Sequence, residues 1–159
     1  MIQLPRSFAA ALMLITTAAY AAPKSPAQWH VKAIPASAKA GAKITLTISG
    51  KIDPGWHLYA MEEPDGGPIA TVVGLTEGDP ADLLSVDESK PILIDDPLFH
   101  LRTGFFRSAV DFTLHLRVDP SAKPGLNPLH VLIRFQSCND QVCLPPRTDT
   151  LEVPLNVTR

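Results

Sequence analysis

The sequence has little net charge and no cluster of basic residues. It holds 14 lysines and arginines against 16 aspartates and glutamates, which gives a formal charge of −2. A protein that binds a polyanion needs a concentrated basic surface to neutralise the phosphates. The composition therefore predicts that this protein does not bind nucleic acid.

Sulfur-containing residues are scarce as well. There are two cysteines and three methionines, and Met61 is the only methionine beyond the first 21 residues, which excludes a methionine-rich copper site. Zinc would need two ligands besides the cysteines. The five histidines show no close ligand spacing: His30, His57, His100, His115 and His130. We therefore predict no metal and no organic cofactor.

Long hydrophobic runs are absent except at the N-terminus. Arg6 precedes an apolar run over residues 7–20, and Ala19-Tyr20-Ala21 has the small-x-small pattern of a signal peptidase site. The run is too short to cross about 30 Å of hydrocarbon as a stable helix. We predict a signal peptide over residues 1–21 and a mature protein, without a membrane span, in the periplasm or another oxidising compartment.

The rest of the chain is dominated by a period of two, which is typical of half-buried β-strands. Residues 22–28 contain two prolines and are expected to form a flexible lead-in to one domain over residues 29–159. Turn residues separate the alternating runs, which predicts an all-β antiparallel sandwich. Only residues 80–89 lack alternation, with room for a helical turn or two. The four alternating runs cover residues 44–48, 110–118, 129–135 and 151–157.

The two cysteines, Cys138 and Cys143, lie between two of these runs with C-x4-C spacing. A structural disulfide is common in exported domains, but so small a ring contributes only about 2 kcal/mol on the chain-entropy model. A short disulfide at the end of a sheet is also accessible to the thiolate of a partner. Asp140 lies inside the loop, and a carboxylate near a thiol disfavours the thiolate. Structural and redox roles both stay open on these grounds.

Several segments together resemble the N-terminal periplasmic domain of the thiol:disulfide interchange protein DsbD. They are the strand ending in Arg-Phe-Gln-Ser-Cys138, the loop Asn-Asp-Gln-Val142, and Cys143-Leu-Pro-Pro. Upstream, residues 53–59 are similar to an aromatic strand of that family, and residues 95–99 are similar to its cap segment. The resemblance covers most of residues 28–157.

The resemblance implies an immunoglobulin-like β-sandwich with the cysteine pair at one end. A cap loop would shield the pair, with Phe99 as the aromatic side chain over the disulfide. Cys143 would form mixed disulfides with partners, and Cys138 would resolve them. Tyr59 and Asp96 would flank the pair, and Asp96 would tune its protonation.

Two local features depart from the family. The loop between the cysteines has four residues instead of five, and His57 stands beside the pair at a position that is usually aromatic. His57 and Asp140 therefore join the residues expected around the disulfide.

The resemblance also implies partners. Electrons would come from a membrane thiol transporter through a thioredoxin-like domain and pass to periplasmic thioredoxin-fold proteins. Because the chain stops at Arg159, we expect donor and acceptor to be separate chains. The protein would then be a protein-disulfide reductase or thiol–disulfide interchange carrier. The alternative is a non-enzymatic, exported β-sandwich that binds other proteins and has a structural disulfide.

Overall fold

The computed structural model describes residues 24–159, so the expected signal peptide lies outside the described part. Among those residues no helix is long and apolar enough to cross a membrane. The described chain is all β, as predicted, with twelve strands: β1 (Ala27–Ala33), β2 (Ala38–Lys39), β3 (Lys43–Ile52), β4 (His57–Tyr59), β5 (Val72–Leu75), β6 (Ala81–Glu88), β7 (Ile92–Asp96), β8 (Leu101–Arg107), β9 (Ala109–Val118), β10 (Gly125–Phe135), β11 (Ser137–Cys138) and β12 (Arg147–Thr158).

The strands form three four-stranded sheets. Their orders are β1-β3-β9-β6, β2-β12-β10-β5 and β11-β4-β8-β7. All pairings are antiparallel except the short one between β2 and β12. The first two sheets supply most of the sandwich, and the third carries the cysteines.

The main core lies between the first two sheets and is built from the alternating residues that the sequence predicts. A period of two puts every second side chain on the same face of a strand, so one apolar set per strand can be buried. In β3, β9, β10 and β12 that buried set is Ile44, Leu46, Ile48, Val110, Phe112, Leu114, Leu116, Val118, Leu129, Val131, Ile133, Phe135, Val153, Leu155 and Val157.

One local expectation was wrong, and one strand was not predicted. The lead-in is shorter than expected, because the backbone of Ala27 already pairs with Ile52 in the β1–β3 ladder. Residues 81–88, where the sequence does not alternate, form strand β6. This strand is at the edge of its sheet, and its register shifts between Leu83 and Ser85. An edge position and a bulge both break the alternation, which explains why the pattern was missed.

The third sheet closes one end of the sandwich. One face of its central strands packs on the main core through the buried side chains of Leu58 and Phe106. The neighbours of these residues in sequence, Tyr59 and Phe105, point to the opposite face. That opposite face carries the candidate site.

Candidate functional site

A disulfide joins Cys138 and Cys143 across a tight hairpin. The hairpin closes through the amide of Asn139, which donates to the carbonyl of Val142 at 2.9 Å. The Asn139 side-chain oxygen accepts hydrogen bonds from the amides of Gln141 and Val142, both at 2.8 Å. An asparagine that bonds to the backbone just ahead of it stabilises a turn. The four-residue loop is therefore held in place independently of the disulfide.

The two sulfur-bearing residues differ in exposure. Cys138 is completely buried, whereas Cys143 is only partly buried. Thiol–disulfide exchange needs a thiolate to reach one sulfur of the disulfide. Cys143 is therefore the more exposed of the two cysteines.

The pairing of β4 with β8 and β11 brings the surroundings of Cys138 together. Cys138 lies opposite His57, and Tyr59 lies opposite Phe105. Residues directly opposite each other share a face of the sheet. The resulting disulfide cluster has buried Tyr59, Phe105 and Cys138 at its centre, with Ile94, Phe99 and Cys143 packed against them.

The loop between β7 and β8, residues 97–100, covers this cluster. The amide of His100 donates to the carbonyl of Asp96 at 2.8 Å and closes the loop. The Phe99 ring meets the Tyr59 ring edge-on, with 5.9 Å between centroids. Phe99 therefore packs on the cluster that contains the disulfide.

Asp96 anchors the cap loop. One carboxylate oxygen accepts hydrogen bonds from the amides of Leu98 (2.8 Å) and Phe99 (3.4 Å). The other oxygen accepts hydrogen bonds from the hydroxyls of Tyr59 (3.0 Å) and Thr103 (3.3 Å). Burial by itself would raise the pKa of Asp96, but these four hydrogen bonds outweigh burial and lower the pKa. A buried carboxylate thus stays ionised beneath the cap.

Two neighbours of the disulfide have shifted pKa values. Burial, and then the hydrogen bond to Asp96, raise the pKa of Tyr59, so its hydroxyl stays protonated. Burial, followed by the charge of Arg107, lowers the pKa of His57. Asp96 and Asp140 act in the opposite direction on His57 without reversing the shift. The imidazole is therefore neutral at neutral pH.

Two cavities of about 320 and 200 Å³ lie beside the residues that surround the disulfide, although neither cysteine lines them. His57, Arg107 and exposed Asp140 line both of them. The residues that the sequence analysis placed around the cysteines, from His57 and Tyr59 to Asp96, Phe99 and Asp140, are therefore brought to one end of the molecule. Within residues 24–159, no group of three or more potential ligand side chains could hold a metal ion.

The sequence analysis did not single out Thr103 or Arg107. The Thr103 hydroxyl donates a hydrogen bond to the Asp96 carboxylate. The Arg107 guanidinium lies 4.9 Å from the centroid of the Phe105 ring. A period of two along residues 103–107 would have placed Thr103, Phe105 and Arg107 on one face. The signal was present, but nothing in the sequence indicated which face meets the cysteines.

The fold and the site together define a β-sandwich whose disulfide packs in a largely aromatic cluster, with one cysteine fully buried and the other partly exposed. That arrangement is suited to thiol–disulfide exchange. Over residues 27–155 the sequence matches the family described as "Thiol:disulfide interchange protein DsbD, N-terminal", and the chain belongs to that family. No curated protein sequence matches the chain.

Two solved structures have the same fold. The reduced DsbD N-terminal domain from Neisseria meningitidis is 19% identical, with a TM-score of 0.51 over 74% of this chain and 82% of that one. The N-terminal periplasmic domain of ScsB from Proteus mirabilis is 16% identical, with a TM-score of 0.57 over 82% of this chain and 47% of that one. The expected immunoglobulin-like β-sandwich is confirmed.

Proposed function

We propose that this protein is a periplasmic thiol–disulfide exchange protein. Its Cys138/Cys143 pair would pass reducing equivalents from a membrane or thioredoxin-like donor to thioredoxin-fold acceptors. Family membership supports the exchange reaction, and the periplasmic domain of ScsB supports export, as does the predicted signal peptide. The observation that carries the proposal is the disulfide itself, with Cys138 fully buried, Cys143 partly exposed and the aromatic ring of Phe99 packed against the same cluster.

The exchange proceeds in two displacements. A partner thiolate attacks the sulfur of Cys143, the bond to Cys138 breaks, and a mixed disulfide with Cys143 forms. The second thiol of the partner then attacks the partner's first sulfur, which is bonded to Cys143 in the mixed disulfide, and Cys143 leaves as a thiol. The partner leaves with a disulfide, and this protein keeps two thiols. The same steps in reverse oxidise the pair and reduce a partner.

The cap and Asp96 make this reaction selective. Phe99 covers the cluster that contains the disulfide, so a partner must displace it to reach Cys143 in line with the bond. The ionised Asp96 disfavours a second negative charge nearby, so the reduced pair is a slow nucleophile until a partner changes its surroundings. Both features protect a thiol carrier from indiscriminate reaction.

The test is the equilibrium reduction potential of the disulfide, measured by alkylation across a glutathione or dithiothreitol series. Structural disulfides lie below about −300 mV and exchangeable ones above. We expect a value above that limit, with a circular dichroism spectrum that reduction leaves unchanged. A lower value, with unfolding on reduction, would instead support the interaction module with a structural disulfide.

Partner capture tests the assignment of the two sulfurs. A Cys138→Ala variant keeps the accessible Cys143 and should accumulate mixed disulfides with thioredoxin-fold proteins of the periplasm. The matched Cys143→Ala variant keeps only the buried Cys138 and should accumulate few. Equal yields from the two variants would contradict the assignment.

A further inference from the structure

If the proposed exchange occurs, the Cys138 sulfur must gain a proton when the disulfide is cleaved. The leaving sulfur is completely buried and packs in a largely aromatic cluster with Tyr59 and Phe105. Burial disfavours the charged form of a thiol, and the ionised Asp96 nearby adds to that effect. A group that delivers a proton to Cys138 would therefore favour bond cleavage.

Several ionisable groups lie around this region, and all but one are unsuited to moving a proton to Cys138. Glu63 accepts hydrogen bonds from the amides of Ala60 and Gly104, and Asp53, in the larger cavity, accepts one from the side-chain amide of Gln28. Asp96 holds four hydrogen bonds and stays ionised, and the Tyr59 hydroxyl donates to it and stays protonated. Arg107 is always charged, and Asp140 is exposed on the loop. The remaining group is the imidazole of His57.

The position of His57 fits a proton carrier. It lies directly opposite Cys138 in the β4–β11 pairing, where side chains on one face are within reach of each other. Its ring packs on those of Tyr59 and Phe105, with centroids 5.2 Å away in both cases. No hydrogen bond within residues 24–159 engages its ring nitrogens, and its contact with both cavities opens a path to solvent.

We propose that His57 carries the proton that Cys138 gains when the disulfide is cleaved and loses when the disulfide forms. On cleavage, the imidazole takes the proton of the attacking partner thiol. The partner sulfur then bonds to Cys143, the Cys143–Cys138 bond breaks, and the imidazolium gives the proton to the Cys138 sulfur. In reverse, His57 accepts the proton of Cys138 as that sulfur attacks the mixed disulfide.

The first test uses the wild-type protein with dithiothreitol as the attacking thiol. The rate of disulfide reduction is measured between pH 5 and pH 8 and divided by the dithiothreitol thiolate concentration. The corrected rate should rise as the pH falls and then level off below pH 6.5, because the lowered pKa of His57 places its titration there. A corrected rate that is constant with pH would overturn the proposal without any variant.

The second test compares two substitutions. His57→Phe keeps an aromatic ring against Tyr59 and Phe105, and His57→Gln keeps a polar side chain, but neither can carry the proton. Both should lose the pH dependence and react about tenfold more slowly at pH 6. This loss is smaller than the ~10²-fold that general acid–base catalysis commonly supplies, because a thiolate already leaves well. The control is His30→Gln, which changes an exposed histidine on β1 and should behave like wild type.

The outcomes separate this proposal from the proposed function. If His57→Phe keeps the wild-type pH profile, His57 does not carry the proton, while exchange at the cysteines still stands. If the wild-type disulfide can be reduced only by unfolding the protein, the exchange function fails, and the role of His57 fails with it.

Discussion

The main core and the disulfide cluster are built on opposite faces of the same small sheet, and they differ in chemistry. The main core is built mostly from apolar side chains of all three sheets. The disulfide cluster combines the rings of Tyr59 and Phe105 with a buried carboxylate, Asp96, and a buried hydroxyl, Thr103. Apolar burial stabilises a fold without polar partners, whereas buried polar groups need them. Stability and reactivity are therefore located in different places.

Adjacent residues serve the two regions. In β4, Leu58 joins the main core and Tyr59 joins the disulfide cluster; in β8, Phe106 and Phe105 divide in the same way. A strand alternates its faces at every residue, so one short segment can contribute to both. Substitutions in one region should consequently leave the other largely unaffected.

The largest expected effect comes from the main core. Leu114→Ala removes a completely buried side chain and should lower the free energy of unfolding by about 2–5 kcal/mol. The reduction potential of the disulfide should stay as in wild type. Urea unfolding and redox titration measure both quantities, and Leu126→Ala, at a residue 72% exposed, is the control. A large shift in potential would show that the two regions are coupled.

The next effect comes from the polar part of the disulfide cluster. Asp96→Asn removes the ionised acceptor of two buried hydroxyls and should lower the free energy of unfolding by about 2–3 kcal/mol at pH 7. Because the pKa of Asp96 is lowered in the fold, its stabilisation is present above pH 3.8 and is lost as the pH falls through the folded pKa. The difference between variant and wild type should therefore shrink at pH 3.

The same variant tests how Asp96 acts on the thiols. Without the carboxylate, the thiol pKa of the reduced protein should fall, as measured by the pH dependence of the alkylation rate. An unchanged titration would remove this role from Asp96 while leaving its role in the cap loop.

Loss of the disulfide should lower the free energy of unfolding by less than Leu114→Ala or Asp96→Asn does. Reduction opens a ring closed by a sequence separation of 5, which is worth about 2 kcal/mol on the chain-entropy model. The reduced protein should stay folded and unfold at a lower urea concentration. Unfolding on reduction alone would make the disulfide part of the scaffold and erase the contrast between the two regions.

The smallest expected effect is at the cap. Phe99→Ala removes the edge-on contact with Tyr59, worth about 0.5–1.5 kcal/mol for an aromatic pair. If that contact keeps the cap closed, reduction by dithiothreitol should become about two- to tenfold faster. Leu98→Ala, in the same loop but 54% exposed, should change the rate less. Equal rates in wild type and Phe99→Ala would mean that Phe99 does not shield the disulfide.

Local patterns in the sequence predict the all-β class, the inward faces of β3, β9, β10 and β12, and the position of the cysteine loop between two strands. Each of these depends on local periodicity or spacing, which the order of residues specifies directly. Residues 81–88 do not alternate, because β6 is an edge strand with a bulge. Their sequence therefore gives no periodic signal for a strand.

The family resemblance suggested which residues surround the disulfide, but their arrangement depends on how distant strands pair. Periodicity places His57 and Tyr59 on one face of a strand, but it does not say which strands lie beside it. The pairing of β4 with both β8 and β11 put His57 opposite Cys138 and buried one sulfur more than the other. It also brought Tyr59 within hydrogen-bonding distance of Asp96, 37 residues away. These contacts join distant segments, and their geometry follows from strand order and packing rather than from any local pattern.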